Sequence, residues 1–206
     1  MPMLPYFSGE SPDPFPECKI TANPVSIEFN QNFKNIKMLN FEIYKDGEQL
    51  DDLKILDAKN DINKKFSSQQ FAAFSREVFD FDAQYQVVFS YERDGVRQDD
   101  IKWSFKTKGF SHPYFEAVGG DVLGVDADKI YEIFFRPKNC NDVIKRYDYK
   151  YPKSLSPDIK QSGTNTLSVN LSGLKGDSLE ILLNNATLVK VVLTSSSQKA
   201  LEKRRG

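Results

Sequence analysis

The amino-acid sequence predicts an all-β protein made of two tandem β-sandwich domains with very little helix. Apolar residues alternate with polar ones along many short segments, which is the pattern of half-buried strands. Turn-forming pairs such as Asp46-Gly47 and Asp94-Gly95 separate several of these segments. Many short strands at close spacing, without a strong helical pattern, favour a sandwich over an α/β fold.

The first predicted domain spans residues 18–109. Its first strand is expected where Val25, Ile27 and Phe29 alternate with polar residues. Further strands are predicted around Met38–Ile43, Leu50–Leu56, Tyr85–Tyr91 and Ile101–Thr107. A short helical turn is predicted over Ser67–Ser75, because the segment FSSQQFAAF brings its phenylalanines together at helical spacing and offers a serine as N-cap.

The second predicted domain spans residues 110–195, after a break in the pattern between Lys108 and Pro113. Alternating or continuous apolar runs predict its strands around Val118–Val125, Ile130–Phe135, Leu167–Leu171, Leu179–Leu183 and Leu188–Leu193, with a turn at Asn184-Asn185. Residues 1–17 contain five of the ten prolines and are interpreted as an extended leader. Residues 196–206 are interpreted as a flexible basic tail.

Charge and hydropathy exclude several classes of partner. The chain has 28 Lys and Arg against 29 Asp and Glu, a formal net charge of -1, so it lacks the positive field that binds nucleic acid. No segment has the roughly twenty apolar residues of a membrane span. The first residues, MPMLPYFSGE, lack the basic and apolar regions of a signal peptide, and whether Met1 is the natural start stays open.

Residues 11–109 resemble a known family. The segments FNQNFKNIKMLNFEIYKDGEQL, NDINKKFSSQQFAAFSREVFDFDAQYQVVFSYERDG and IKWSFKTKG resemble the β-sandwich region beside the CAP domain of secreted bacterial CAP-superfamily proteins. The tyrosine-bearing strand, the DG turn and the closing WSFKT strand are similar to bacterial Ig-like modules. Asp82 stands where glycine is usual in that family, and Ser75-Arg76 replace a Pro-Leu pair.

The resemblance implies an Ig-like β-sandwich over residues 11–109 and a secreted or periplasmic location. Together with the strand pattern of residues 110–195, the predicted fold is two tandem Ig-like β-sandwich domains. It does not extend to the CAP domain, whose cleft uses two histidines and two acidic residues, because His112 is the only histidine here. We therefore expect a non-enzymatic module, with no catalytic residue, no cofactor and no metal. His112 precedes a proline between the domains, and a structural or solvent role is favoured over catalysis.

Oxygen-bearing side chains concentrate in one loop of the first domain. Asp57, Asn60, Asp61 and Asn63 could hold calcium, but their spacing is not that of a calcium-binding loop and two lysines follow at once. A capped turn is therefore favoured. Cys18 and Cys140 are too few for a disulfide-built scaffold and too widely spaced for a zinc knuckle. Two separate thiols are favoured, and a bridge between them stays open.

Tyr147, Tyr149 and Tyr151 are the predicted contact residues. They share one face of a strand, with charged residues on the other face, so packing into the core is favoured over ligand binding. The leading functional hypothesis is a module that contacts a protein partner or positions a neighbouring domain through edge strands and loops. The alternative is a carbohydrate-binding module whose tyrosines stack on cell-wall or host glycans.

Overall fold

The computed structural model describes residues 18, 22–61, 64–118, 122–125, 129–151, 157–172, 178–185 and 190–195. Within these residues the chain forms sixteen β-strands and no helix. The chain divides into two compact units, Met1–Gly109 and Phe110–Gly206, called unit 1 and unit 2. The predicted leader, residues 1–17, and the predicted tail, residues 196–206, lie outside the described residues.

Unit 1 contains two antiparallel sheets. Its strands are β1 Val25–Glu28, β2 Ile36–Lys45, β3 Glu48–Gln49, β4 Leu53–Leu56, β5 Gln70–Ser75, β6 Gln84–Arg93, β7 Val96–Arg97 and β8 Ile101–Lys106. The smaller sheet has the order β1-β5-β4, and in the larger sheet β3 pairs with β2, β2 with β6, and β6 with both β7 and β8. These are the B-E-D and C′-C-F-G orders of an Ig domain, so the predicted all-β, Ig-like fold is confirmed.

Side chains from both sheets of unit 1 meet in one core. Ile43 on β2 and Phe89 on β6 are fully buried. The ring of Phe89 lies 5.3 Å from that of Phe71, which belongs to the other sheet, and 5.3 Å from that of Phe41. Such tilted and edge-to-face aromatic pairs are favourable beyond the area they bury. The alternating apolar residues of the sequence therefore form the face of each sheet that is turned to the core.

A tyrosine corner fixes the start of β6. Tyr85 is buried, and its phenol oxygen accepts a hydrogen bond of 2.9 Å from the backbone amide of Asp80. Its ring stacks on Phe105 of β8 at 5.2 Å between centroids. A tyrosine in this position, bonded to backbone a few residues upstream, is a hallmark of Ig-type sandwiches.

The predicted turns have the backbone that their residues favour. Both residues of Asp46-Gly47, of Asp94-Gly95 and of Asn184-Asn185 have positive φ angles, between 52° and 85°. Two consecutive residues at positive φ define the type I′ turn, which matches the twist of antiparallel strands and prefers Asn, Asp and Gly. The first two pairs join β2 to β3 and β6 to β7. The three turn predictions are confirmed.

The helical turn predicted over Ser67–Ser75 is wrong. Residues 70–75 form β5, the central strand of the smaller sheet, and five of its six residues are buried. Phe71 and Ala73 face the main core, whereas Ala72 and Phe74, on the other face, are buried as well. A strand that is covered on both faces shows no polar alternation, so its apolar run is easily mistaken for a buried helix.

Unit 2 also contains two sheets. Its strands are β9 Tyr114–Ala117, β10 Val122–Val125, β11 Ile130–Phe135, β12 Tyr147–Lys150, β13 Asp158–Gly163, β14 Thr166–Asn170, β15 Leu179–Leu183 and β16 Lys190–Ser195. One sheet has the order β13-β14-β11-β9 and the other β10-β16-β15-β12. β9 is parallel to β11 and β10 is parallel to β16; the other pairs are antiparallel.

The core of unit 2 lies between these sheets. Ile133 of β11 and Val169 of β14 come from one sheet, Ile181 of β15 comes from the other, and all three are fully buried. Sheet-on-sheet packing of this kind leaves the strand ends and their loops at the two ends of the sandwich. The loops therefore provide the irregular surface of the unit.

Candidate functional site

Three connections meet at one end of unit 2. Residues 136–146 join β11 to β12, residues 164–165 join β13 to β14, and residues 184–185 follow β15. The strand register brings them together, because Phe134 pairs with Thr166 and Tyr147 pairs with Leu183. We call these residues the loop end. In Ig variable domains, loops clustered at one end of the sandwich form the binding surface.

Asn165 holds the 136–146 loop from inside. This side chain is buried, and its amide nitrogen donates to the carbonyl oxygens of Phe135 at 3.0 Å and Asp142 at 2.7 Å. Its amide oxygen accepts from the backbone amide of Ile144 at 3.1 Å. One side chain thus satisfies two backbone groups of the loop and one at the end of β11, as buried polar groups require.

Asn184 and Asp142 complete the scaffold of the loop. The Asn184 side-chain oxygen accepts from the backbone amides of Lys145 at 2.7 Å and Arg146 at 3.3 Å, and its nitrogen donates to the carbonyl of Val143 at 3.0 Å. The Asp142 carboxylate accepts from two backbone amides near the start of the loop, each at 3.1 Å. The loop is therefore organised by fixed hydrogen bonds along most of its length.

A cleft of about 260 Å³ opens among these loops. Its apolar lining includes Phe135, Ile144 and Leu183, which are buried, and Val118, which is 52% exposed. Its polar lining includes the two organising asparagines, Asn165 and Asn184. A concave, apolar surface on a preorganised loop is a typical binding site for an apolar group.

The rim of the cleft carries positive charge. Residues 136–146 contain four cationic side chains and one carboxylate. Arg136 forms an ion pair with Glu116, with Nη2 at 3.0 Å from Oε2, and Arg146 lies 3.3 Å from Asp148. Lys138 and Lys145 are exposed. The surroundings of the cleft therefore favour a group that carries negative charge beside an apolar side chain.

The three predicted contact tyrosines lie on and just after β12, an edge strand that leaves the loop end. Tyr147 and Tyr151 are partly buried against the core, and the Tyr147 phenol donates to the carbonyl of Ile159 at 2.8 Å. Tyr149 is 39% exposed. Tyr147 and Tyr151 therefore pack against the core. Of the three tyrosines, Tyr149 is the one that is exposed to solvent.

The carboxylates of Asp57 and Asp61 cap backbone turns. The Asp57 carboxylate accepts from the backbone amides of Lys59 at 2.9 Å and Asn60 at 3.1 Å. The Asp61 carboxylate accepts from the amides of Lys65 at 2.5 Å and Phe66 at 3.0 Å. These oxygens are directed to backbone N–H groups, as in Asx turns. Asn63 lies outside the described residues.

The interpretation of two separate thiols is wrong. Cys18 and Cys140 are both disulfide-bonded, and neither cysteine of the chain is free. Cys18 is buried, and Arg76 Nη1 lies 3.6 Å from its sulfur. Cys140 lies within the 136–146 loop. Whether two thiols bond depends on their geometry in the fold, which their spacing in the sequence does not reveal.

The other candidate groups have plain surroundings. His112 is exposed in the segment before β9. Within the described residues, no cluster of three or more His, Cys, Asp or Glu side chains could hold a metal ion. The same part of the chain contains no helix that could cross a membrane.

Sequence reasoning missed the residues that shape the loop end. Asn165 precedes β14 and resembles any turn asparagine, although the structure gives it three backbone partners between Phe135 and Ile144. Asn184 was recognised as a turn residue but not as a support for residues 143–146. One weak signal was present: the 136–146 segment lacks alternation and is bounded by strands on both sides.

No protein-family model matches the chain, and no curated protein matches it in sequence. Among solved structures, the chain is similar to the tandem Ig repeats of Dlar, with 12% identity, a TM-score of 0.23, and coverage of 76% of this chain and 82% of that chain. The N-terminal Ig1-2 module of Drosophila receptor protein tyrosine phosphatase DLAR has 11% identity and a TM-score of 0.23, with 85% and 95% coverage.

A third similar structure is the endo-fucoidan hydrolase MfFcnA4 of glycoside hydrolase family 107. It has 8% identity and a TM-score of 0.27, and the match covers 84% of this chain but 26% of that enzyme. Scores this low carry no functional argument. The assignment of an Ig-like sandwich rests instead on the strand order of unit 1 and on the tyrosine corner at Tyr85.

Proposed function

We propose that this chain is a non-enzymatic interaction module that binds a protein partner through the loop end of unit 2. The partner is a separate protein or a neighbouring domain of a longer polypeptide. The apolar cleft supports this proposal most strongly, because the hydrogen bonds of Asn165 and Asn184 hold its wall in place before binding. A preorganised site avoids the free-energy cost of ordering a loop on binding.

The cleft has room for one large side chain of a protein partner. Its volume of about 260 Å³ is below the roughly 300–1,000 Å³ of typical small-molecule pockets. Partner proteins commonly insert one large apolar side chain into such a recess. Lys138 and Lys145 near the recess favour acidic residues on either side of that side chain.

Export to an oxidising compartment is part of the proposal. The resemblance of residues 11–109 to a region of secreted bacterial proteins supports it. The disulfide-bonded state of Cys18 and Cys140 supports it independently, because disulfides persist outside the reducing cytosol. Positioning of a neighbouring CAP-type domain rests on that resemblance alone.

The proposal is tested with a displayed library of random peptides, selected on the purified chain. We expect enriched peptides to combine an aromatic or aliphatic anchor with acidic neighbours. The Val118→Asp variant should weaken binding of a selected peptide at least about tenfold, because it places a carboxylate at the cleft. Val96→Asp is the matched control, since Val96 is 62% exposed in unit 1.

Two results would contradict the proposal. One is a set of selected peptides whose affinity is unchanged by Val118→Asp. The other is selective co-sedimentation of the chain with insoluble glycans that Tyr149→Ala abolishes. The second result would favour the carbohydrate-binding alternative, because Tyr149 is the exposed member of the tyrosine row.

A further inference from the structure

The outer face of the larger sheet of unit 1 carries two ordered rows of side chains. Glu42 on β2, Val88 on β6 and Lys102 on β8 are directly paired neighbours across three strands. The next row along the strands consists of Tyr44, Gln86 and Ser104. The residues between these rows, such as Ile43 and Val87, point into the core, so both rows point outwards. We call these six residues the outer face.

The first row has opposite charges at equal distances from its centre. Neighbouring strands are about 4.8 Å apart, so Glu42 and Lys102 each lie one strand spacing from Val88. Val88 is half-buried, and Lys102 is exposed and has no ion pair among the described residues. The side chains of this row are therefore negative, apolar and positive in order across the sheet.

The carboxylate of this row is held in a fixed position. Glu42 accepts a hydrogen bond of 2.7 Å from the side-chain amide of Asn40 and one of 3.0 Å from the phenol of Tyr44. The hydrogen bond to Glu42 is the main cause that raises the pKa of Tyr44 above its ordinary value. An oriented carboxylate loses little side-chain freedom when it meets a cation.

We propose that two copies of this chain associate through the outer face, around a twofold axis parallel to β6. Rotation about that axis exchanges β2 with β8 and places the two copies of Val88 opposite each other. Glu42 of each copy then faces Lys102 of the other copy. Symmetric association requires a surface that is complementary to itself in this way.

The neighbouring rows are also complementary to themselves under this rotation. The axis places the phenol of Tyr44 opposite the hydroxyl of Ser104, and Gln86 opposite Gln86. On the other side of the first row, Asn40 lies beside Ser90, whose hydroxyl donates to the Asp100 carboxylate at 2.8 Å. The axis therefore sets the side chain of Asn40 opposite Asp100, whose carboxylate also pairs with Arg97. In each row the β2 residue complements the β8-side residue of a second copy.

This order of charges favours a second copy over an unrelated partner. A face of one sign would attract any partner of the opposite sign, whereas equal and opposite groups about a central strand match their own rotated image. The three rows contain nine residues, compared with the roughly 20–30 residues per partner of a standard interface. The dimer is therefore weak and depends on concentration.

Sedimentation velocity of the full chain, from about 1 µM to about 1 mM, spans the range in which weak dimers form. We expect a rise in mean mass from monomer towards dimer. The variants Glu42→Lys and Lys102→Glu should each raise the dissociation constant at least about tenfold, because each turns two attractions into repulsions. Lys54→Glu, on β4 in the smaller sheet, is the matched control and should dimerise as the wild type does.

Restoring the charge pattern distinguishes a dimer lost through charge repulsion from a dimer lost because the variant does not fold. The double variant Glu42→Lys/Lys102→Glu should dimerise again, and an equimolar mixture of the two single variants should form a mixed dimer. A wild type that stays monomeric throughout the series overturns the proposal. Single variants that dimerise normally, or a double variant that stays monomeric while folded, also overturn it.

Discussion

The backbone amide of Asp80 donates a hydrogen bond of 2.9 Å to the phenol oxygen of Tyr85, whose side chain is 2% exposed. This bond joins the segment before β6 to a strand that places Tyr85, Val87 and Phe89 in the core of unit 1. Because the ring is buried, its oxygen has little access to water and depends on protein partners. The bond therefore contributes to the stability of the unit.

Tyr85→Phe should lower the free energy of unfolding by about 1–3 kcal/mol, the usual cost of leaving a buried polar group without its partner. Denaturant unfolding followed by fluorescence measures this change. Tyr91→Phe is the matched control, since Tyr91 lies on the same face of β6 and its hydroxyl has no hydrogen bond among the described residues. An equal loss in both variants would refute a specific role for the Tyr85 phenol.

Asn165→Ala should destabilise unit 2 and loosen the cleft. The substitution removes partners from two backbone groups of the 136–146 loop and from the Phe135 carbonyl, each worth about 1–3 kcal/mol when buried, so the total loss should reach at least about 2 kcal/mol. Hydrogen exchange of residues 142–144 should accelerate. Asn139→Ala, an exposed residue of the same loop, should cost clearly less; comparable losses would contradict the role given to Asn165.

Stability should fall at alkaline pH because of one ion pair in unit 1. A hydrogen bond from Lys45 to Asp80, at 2.5 Å, and the charge of Asp80 raise the pKa of Lys45 above its ordinary value of 10.5. A raised pKa means that the folded state holds this proton more tightly than the unfolded state does. The contribution is fully present below pH 10.5 and is lost as pH rises through the folded-state pKa.

Lys45→Met should remove this component of the pH dependence. Denaturant unfolding at pH values on both sides of 10.5 measures it as the difference between wild type and variant. That difference should shrink as pH rises. A wild type and a Lys45→Met variant that differ by a constant amount would refute the assignment to Lys45.

The purified, unreduced chain should contain no reactive thiol. Cys18 and Cys140 are both disulfide-bonded, so a maleimide should label neither cysteine in denaturant and should label two after reduction. Mass spectrometry of the intact chain counts the labels. For this measurement the protein is expressed in and purified from an oxidising compartment, because disulfides persist there. Two labels on the unreduced, unfolded chain would contradict the disulfide and weaken the proposal of export.

Local patterns predicted the strands that have one face in the core and one in solvent. β2 and β6 alternate in burial along most of their length, and the Asp-Gly pairs after them adopt positive φ angles. Alternation did not predict β5, because this strand is buried on both faces. Its apolar run carries no periodicity that distinguishes a strand from a helix.

The candidate site was predicted less completely than the fold. Tyr147 and Tyr149 lie on β12 and Tyr151 follows it, and the different exposures of the three side chains depend on how far each ring reaches over the core. The cleft beside them depends on Asn165 and Asn184, which hold a loop that precedes them in the sequence. No local pattern shows which distant backbone group a polar side chain will meet.

The sequence by itself determined the all-β class, most strands and the tight turns, because alternation and turn chemistry act between residues that are close along the chain. The tertiary structure alone decided the burial of β5 on both faces, the disulfide state of Cys18 and Cys140, and the cleft at the loop end. These features depend on contacts between residues far apart in the chain. Such contacts form when the sheets pack, and periodicity does not encode them.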